Sequence, residues 1–150
     1  KSVQSFLALR LGRFNHNGFV NDLGEIYSRR VFVGEQGILE NVVFDGNESG
    51  AMHMVVKDGE KVIGTARVRF LEAKQAKLER MAVLKPFRCQ GVGQGIVSFL
   101  VRELKNRQIE KVVLHAQHGV VGFYQSCGFN ALGVPFEEAG IEHLKMGKKL

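Results

Sequence analysis

The sequence predicts one mixed α/β domain, and three stretches of its 150 residues carry that prediction. Residues 77–104 pass from an apolar strand, through Pro86 and three glycines, into a stretch with helical spacing. Residues 51–71 contain two strand-like runs on either side of Asp58–Gly59, a strong hairpin signal. Residues 111–129 again run from strand to short helix and close on Gly128. A single chain of this length suits one domain and is too short for two comfortable ones.

Taken in order, residues 3–11 alternate weakly, with Val3, Leu7, Leu9 and Leu11 on one side, and predict a first strand. Asn15–Gly18 punctuates it. Phe19, Leu23, Ile26, Tyr27 and Val31 then recur at three- and four-residue steps, so 19–33 reads as a helix that Asn21 or Asp22 can cap. Gly24 weakens that helix by up to about 1 kcal/mol relative to Ala. Residues 38–49 read as a polar loop carrying Glu40, Asp45 and Glu48. It is either a solvated surface or one wall of a site for a cationic partner.

The hairpin strands follow. In the first, Met52, Met54 and Val56 share one face and His53 and Val55 the other. In the second, Gly64 marks a bulge or a close backbone approach. Glu72–Gln75 turns the chain, and Lys77–Leu84 returns as a strand. Ile96, Val97, Leu100, Val101 and Leu104 form one stripe of the next helix. Lys111–Gln117 reads as an interior strand. Val121, Phe123, Tyr124 and Cys127 fit one face of a short helix, with Gly128 at its left-handed C-terminal position. The tail, residues 136–146, suits a turn and a last strand.

Hydrophobic residues make up 45% and charged residues 24%, ordinary proportions for a soluble globule. No apolar run is long enough to span a bilayer, and no secretory leader is visible. Two cysteines, Cys89 and Cys127, make neither a disulfide framework nor a metal site, so a reducing, cytoplasmic setting is expected. The net charge of +6 comes from scattered Lys and Arg without interleaved aromatics. That pattern suits an anionic small molecule better than a nucleic acid.

Residues 88–93 read RCQGVG and lie between the strand and the helix. A glycine turn there can aim backbone N–H groups at an anion, helped by the partial positive charge of the helix N-terminus and by Arg88. The alternative is an ordinary strand-to-helix turn. No GK[ST] follows, and the third glycine is misplaced for a dinucleotide fingerprint. The stretch does match R/Q-x-x-G-x-G/A, and residues 123–129, FYQSCGF, match F-Y-x-x-x-G-F. Together these resemble the GNAT superfamily of acetyl-CoA-dependent N-acetyltransferases over roughly residues 3–147. The resemblance is greatest to the small ElaA/YjcF-like acyltransferases, through VFVGEQ at 31–36, HAQ at 115–117 and Gly140, Ile141, His143 and Met146.

The resemblance implies a mainly antiparallel sheet flanked by helices, with a splayed parallel pair between 77–84 and 111–117. It implies acetyl-CoA as cofactor. Backbone around Met81 and Val83 would align its arm, and Arg88, Cys89, Gln90, Gly91, Val92 and Gly93 would hold its pyrophosphate. Many GNAT proteins carry an Asn where Gln117 stands, so a cofactor contact from Gln117 is expected without an assigned partner. Tyr124 would protonate the departing thiolate; the alternative is a core aromatic. Glu35, Gln36 and His143 would face the acceptor, a small or peptide amine, and no metal is required.

The base is open among three residues. Strand alternation puts Glu79 on a face with Met81 and Val83, where a charge needs a reason. It is either a base or the partner of Arg67, Arg69 or Arg80. His115 has an imidazole that is available near neutral pH, and His143 is third. Direct attack needs no acyl-enzyme, so neither cysteine is read as a nucleophile. The rival to an enzyme is a non-catalytic acyl-CoA-binding sensor or interaction domain, and either would be a monomer or a homodimer.

Overall fold

The computed structural model describes residues 10–12, 50–59 and 61–150. The predicted helix at 19–33, the polar loop at 38–49, and Glu35, Gln36, Glu40 and Asp45 lie outside the described residues. The strands are β1 (Arg10–Gly12), β2 (Met52–Asp58), β3 (Lys61–Leu71), β4 (Gln75–Val83), β5 (Lys111–Gln117), β6 (Asn130–Ala131), β7 (Phe136–Glu138) and β8 (Ile141–Lys149). Two α-helices are described, α1 (Val92–Asn106) between β4 and β5 and α2 (Val121–Ser126) between β5 and β6. A 3-10 turn precedes each, at Lys85–Phe87 and His118–Val120.

These strands form one sheet in the order β1-β2-β3-β4-β5-β8-β6, with β7 also paired to β8. Every described pair is antiparallel except β4 with β5. Parallel neighbours need a crossover connection rather than a tight turn, and α1 is that crossover. The parallel pairing covers Gln75–Leu78 against Lys111–Leu114 and stops there. Beyond it, β4 stays with β3 as far as Val83 opposite Gly64. β5 stays with β8 as far as Gln117 opposite His143. The middle of the sheet therefore opens into a V, the splay that the family resemblance implied.

A bulge on β4 marks the start of the V. Arg67 faces Glu79 while Thr65 faces Ala82, so β4 carries one residue more than β3 across this span. Arg80 takes the left-handed conformation there, at φ 50°. An extra residue bends a strand and increases its twist, which turns the end of β4 away from β5.

The two faces of the sheet differ. Alternation turns Ala66, Val68, Ala76, Leu78, Val112, Leu114 and Ala116 to the helix side, all buried. Ile96, Val97, Leu100 and Leu104 of α1 pack on them, the stripe read from spacing; Val101 is only half-buried. Each such side chain stabilises the fold by about 1.5–3 kcal/mol relative to exposure. Gly64 admits Ile96: a Cβ there would lie 3.2 Å from Ile96 Cδ1. The opposite face carries Thr65, Arg67, Arg69, Lys77, Glu79, His115, Gln117 and His143. The polar chemistry of the sheet gathers on that side of the V.

Candidate active site

The glycine turn ends in the N-terminus of α1. Gly91 is its N-cap, in the left-handed region at φ 82°, and Cys89 precedes it at φ 58°. The first N–H groups of any α-helix lack an intrahelical acceptor. In α1 no side chain caps them, and no acidic residue stands in the first turn. A Cβ on Gly91 would meet nothing within 4 Å. Uncovered donors, open space and no carboxylate fit an anionic group such as a pyrophosphate. The turn is braced by its own side chains: Arg88 Nε donates to the Val83 carbonyl at 2.8 Å and Gln90 Nε2 to that of Pro86 at 2.8 Å.

Gly93 answers a different need from Gly91. A Cβ on Gly93 would lie 3.1 Å from Phe123 Cζ and 3.4 Å from Met81 Cε. Its lack of a side chain lets α2 and β4 close on the first turn of α1. Tyr124 is carried into this junction. It is 9% exposed, stacks edge-on with Phe123 and Phe129, and directs its hydroxyl at Met81 Sδ, 3.5 Å away. Burial, with a smaller contribution from Cys127, pushes the phenol well above its usual pKa. Tyr124 thus belongs to the core and also brings a proton donor, held by a weak thioether acceptor, to the β4 side of the V.

Glu79 meets three cations. Its carboxylate accepts from Arg67 Nη2 at 2.6 Å, Arg69 Nη2 at 2.8 Å and both Nε groups at 3.0 Å, and Lys77 Nζ lies 3.1 Å away. Burial alone would raise its pKa. The hydrogen bond from Arg69, the charge and hydrogen bond of Arg67, and the bond from Lys77 outweigh burial and hold it at about 2. A carboxylate so occupied is a poor proton acceptor at neutral pH. The base expectation for Glu79 therefore gives way to the pairing alternative, met by Arg67 and Arg69 with Lys77 as a further partner.

A second polar group lies across the V on β5, β7 and β8. His115 Nδ1 is 3.3 Å from Glu138 Oε1, and His143 Nε2 is 3.8 Å from Glu138 Oε2. His143 Nδ1 donates to the Ile141 carbonyl at 2.7 Å. Phe136 meets His115 edge-on at 5.0 Å and stacks on His143 at 6.0 Å. Burial lowers the His115 pKa, Lys77 lowers it further, Glu138 opposes both, and His143 adds a small lowering. The ring is consequently neutral near pH 7 and has a lone pair to offer. Gln117 ends β5 opposite His143.

The expected residues fall into two groups, one on each arm of the V. Met81, Val83, Tyr124 and the 88–93 turn belong to the β4–α1 side, and His115, Gln117 and His143 to the β5–β8 side. The sequence reading missed Glu138 and Phe136, which lie in a tail whose alternation is weak; the spacing of Phe136, Glu138 and His143 was the available signal. Cys127 is half-buried with its thiol pKa raised by burial, and Cys89 is exposed on the turn. Among the described residues no group of His, Cys, Asp and Glu is set to hold a metal, and no helix is long and apolar enough to cross a membrane.

A family model described as an acetyltransferase (GNAT) domain matches residues 34–150. The uncharacterised N-acetyltransferase YjcF of Bacillus subtilis is 39% identical over 119 residues, 79% of this chain and 84% of that protein. The crystal structure of Escherichia coli ElaA matches with a TM-score of 0.83 at 22% identity, over 95% of this chain and 99% of that one. A Bacillus subtilis acetyltransferase in complex with CoA matches with a TM-score of 0.70 at 14% identity, over 95% and 97%. At those identities the two structures show a common fold alone.

Proposed function

The chain belongs to the GNAT acetyltransferase family, and from that membership we propose that it moves the acetyl group of acetyl-CoA to a primary amine by direct attack. The acceptor is a small molecule or an exposed peptide amine. The observation that carries the reading is the glycine turn feeding the uncapped N-terminus of α1 beside the V between β4 and β5. The solved relative in complex with CoA supports the choice of cofactor.

Bound acetyl-CoA supplies an activated thioester. The N–H groups of the 90–93 turn, with the Arg88 guanidinium, hold its pyrophosphate, and the backbone at Met81 and Val83 aligns its arm. His115 takes the proton from the attacking amine, since Glu79 is already committed to its arginines. The acceptor nitrogen bonds to the acyl carbon as the carbon–sulfur bond breaks. Tyr124 donates a hydrogen bond to the departing sulfur; burial disfavours a tyrosinate, so its part is donation more than outright loss of the proton.

Gly91→Asn tests the anion site. Asn tolerates the left-handed region, and its side chain enters space that the protein leaves open. Calorimetry should show acetyl-CoA affinity falling by roughly 10-fold or more, with the fold retained; unchanged affinity would remove the turn from the binding site. A panel of cationic, neutral and peptide amines, followed by acetyl-CoA-dependent thiol release, tests the reaction. Binding without transfer to any of them would leave a non-catalytic acyl-CoA-binding domain.

A further inference from the structure

Glu138 occupies a place that its own strand was built to reach. β7 has three residues and turns into β8 through Ala139–Gly140, both at positive φ (52° and 73°), the shape of a tight two-residue hairpin. Its register sets Phe136 opposite His143 and Glu138 opposite Ile141. Phe136, Glu138, Ile141 and His143 therefore share one face. The two side chains that β7 turns to that face both meet histidines: Phe136 touches the two rings, and Glu138 reaches a nitrogen of each.

We propose that Glu138 is a positioning residue for His115: one carboxylate oxygen takes the Nδ1–H of that ring, so the Nε2 lone pair is presented as the base of the site. A carboxylate only accepts, so the ring nitrogen beside it must carry the hydrogen. His143 is fixed in the same sense, its Nδ1–H given to the Ile141 carbonyl. Its Nε2 lies 3.8 Å from the second oxygen of Glu138, beyond hydrogen-bond range, so the Ile141 carbonyl and not Glu138 sets its tautomer.

The charges around His115 explain why a carboxylate is needed. Lys77 approaches from β4 and lowers its basicity, and Lys145 is its cross-strand partner on β8. Glu79 offers no relief, because its oxygens are taken by Arg67, Arg69 and Lys77. Glu138 is the carboxylate that faces the ring from β7, and it works against both burial and Lys77. When the amine proton arrives on Nε2, the Nδ1–H stays where it is and Glu138 remains ionised, next to the new imidazolium. The consequence for turnover rests on the acyl-transfer reading; the state of the ring does not.

NMR of the ¹⁵N-labelled protein tests the ring directly, with the His115 signals identified by their loss in H115Q. Neutral His115 in the wild type should carry its hydrogen on Nδ1. In E138Q the amide oxygen still accepts but the charge is gone, so the titration midpoint should fall; in E138A the Nδ1–H preference should also weaken. An Nε2–H ring in the wild type, or the same midpoint in wild type and E138Q, would overturn the proposal. On an amine that the wild type acylates, E138Q should lower plateau turnover roughly 10-fold and move the ascending limb of the pH profile to lower pH. A fall in plateau with the limb unmoved would mark a merely structural residue and also overturn it. Expected NMR behaviour without acylation of any amine would uphold the placement of Glu138 and count against acyl transfer instead.

Discussion

Tyr124 keeps its proton because the surrounding core penalises the charged form. Its hydroxyl partner in the described residues is the Met81 thioether, a weak acceptor that surrenders a donor at little cost. Tyr124→Phe keeps the ring contacts with Phe123 and Phe129 and deletes that donor. Acetyl-CoA affinity should stay near wild type, and single-turnover acylation should slow by roughly 10²-fold, the value of one well-aimed donor. Calorimetry paired with rapid quench would show it; full turnover in a folded Y124F protein would return Tyr124 to the core. In the sequence Tyr124 stood out only because a motif carried it. The partners of Glu79 were half legible, since Arg67 and Arg69 stood among the named alternatives while Lys77 did not. The unreadable part was the geometry: no spacing rule says that five hydrogen-bonding nitrogens converge on one carboxylate.

Elements were most legible where a turn residue has one job. Asp58–Gly59 marks the β2–β3 hairpin, and Gly128 ends α2 at φ 85°. There Phe129 N–H donates to the Tyr124 carbonyl at 3.0 Å and Gly128 N–H to that of Gln125 at 2.9 Å, a Schellman arrangement. Gly128→Ala should therefore lower stability by about 1–2 kcal/mol, the left-handed cost for a residue with a Cβ. Urea unfolding of G128A would measure it, and a loss near zero would contradict the strain argument. α1 begins at Val92, four residues before the stripe's first residue, Ile96, because Gly91 already serves as its cap. The β4 bulge was invisible in the sequence. Arg80 is not a residue type that announces a positive φ, and the pairing with β3 imposes it.

At the scale of the molecule, the Glu79 cluster ties β3 to β4 across the face that holds the site. Its carboxyl drops from an ordinary 4.5 to about 2 on folding. The unfolded chain therefore takes up this proton first as pH falls. The associated stability is full above pH 4.5 and is lost on the way down to pH 2. It amounts to on the order of 3 kcal/mol. Denaturant titrations from pH 7 to 2 should show that slope in the wild type. E79Q should lack it and should be less stable at pH 7 by about 3–5 kcal/mol, because the charge that Arg67, Arg69 and Lys77 share is removed. Equal acid slopes in the two proteins would sink the assignment.

The V has a further consequence, for association between chains. A sheet edge is a template for another polypeptide, and proteins ordinarily blunt theirs. Here 79–83 of β4 and 115–117 of β5 part from each other inside the sheet, across a gap that closes at Leu78 and Leu114. An intruding strand would have to thrust its side chains alternately into both faces, and one of those faces is filled by α1 and α2. A slender chain poor in side chains suits such a gap better than a second strand does. The same opening that invites hydrogen bonding therefore shuts out aggregation by girth, without the charges or prolines that an outer strand would need.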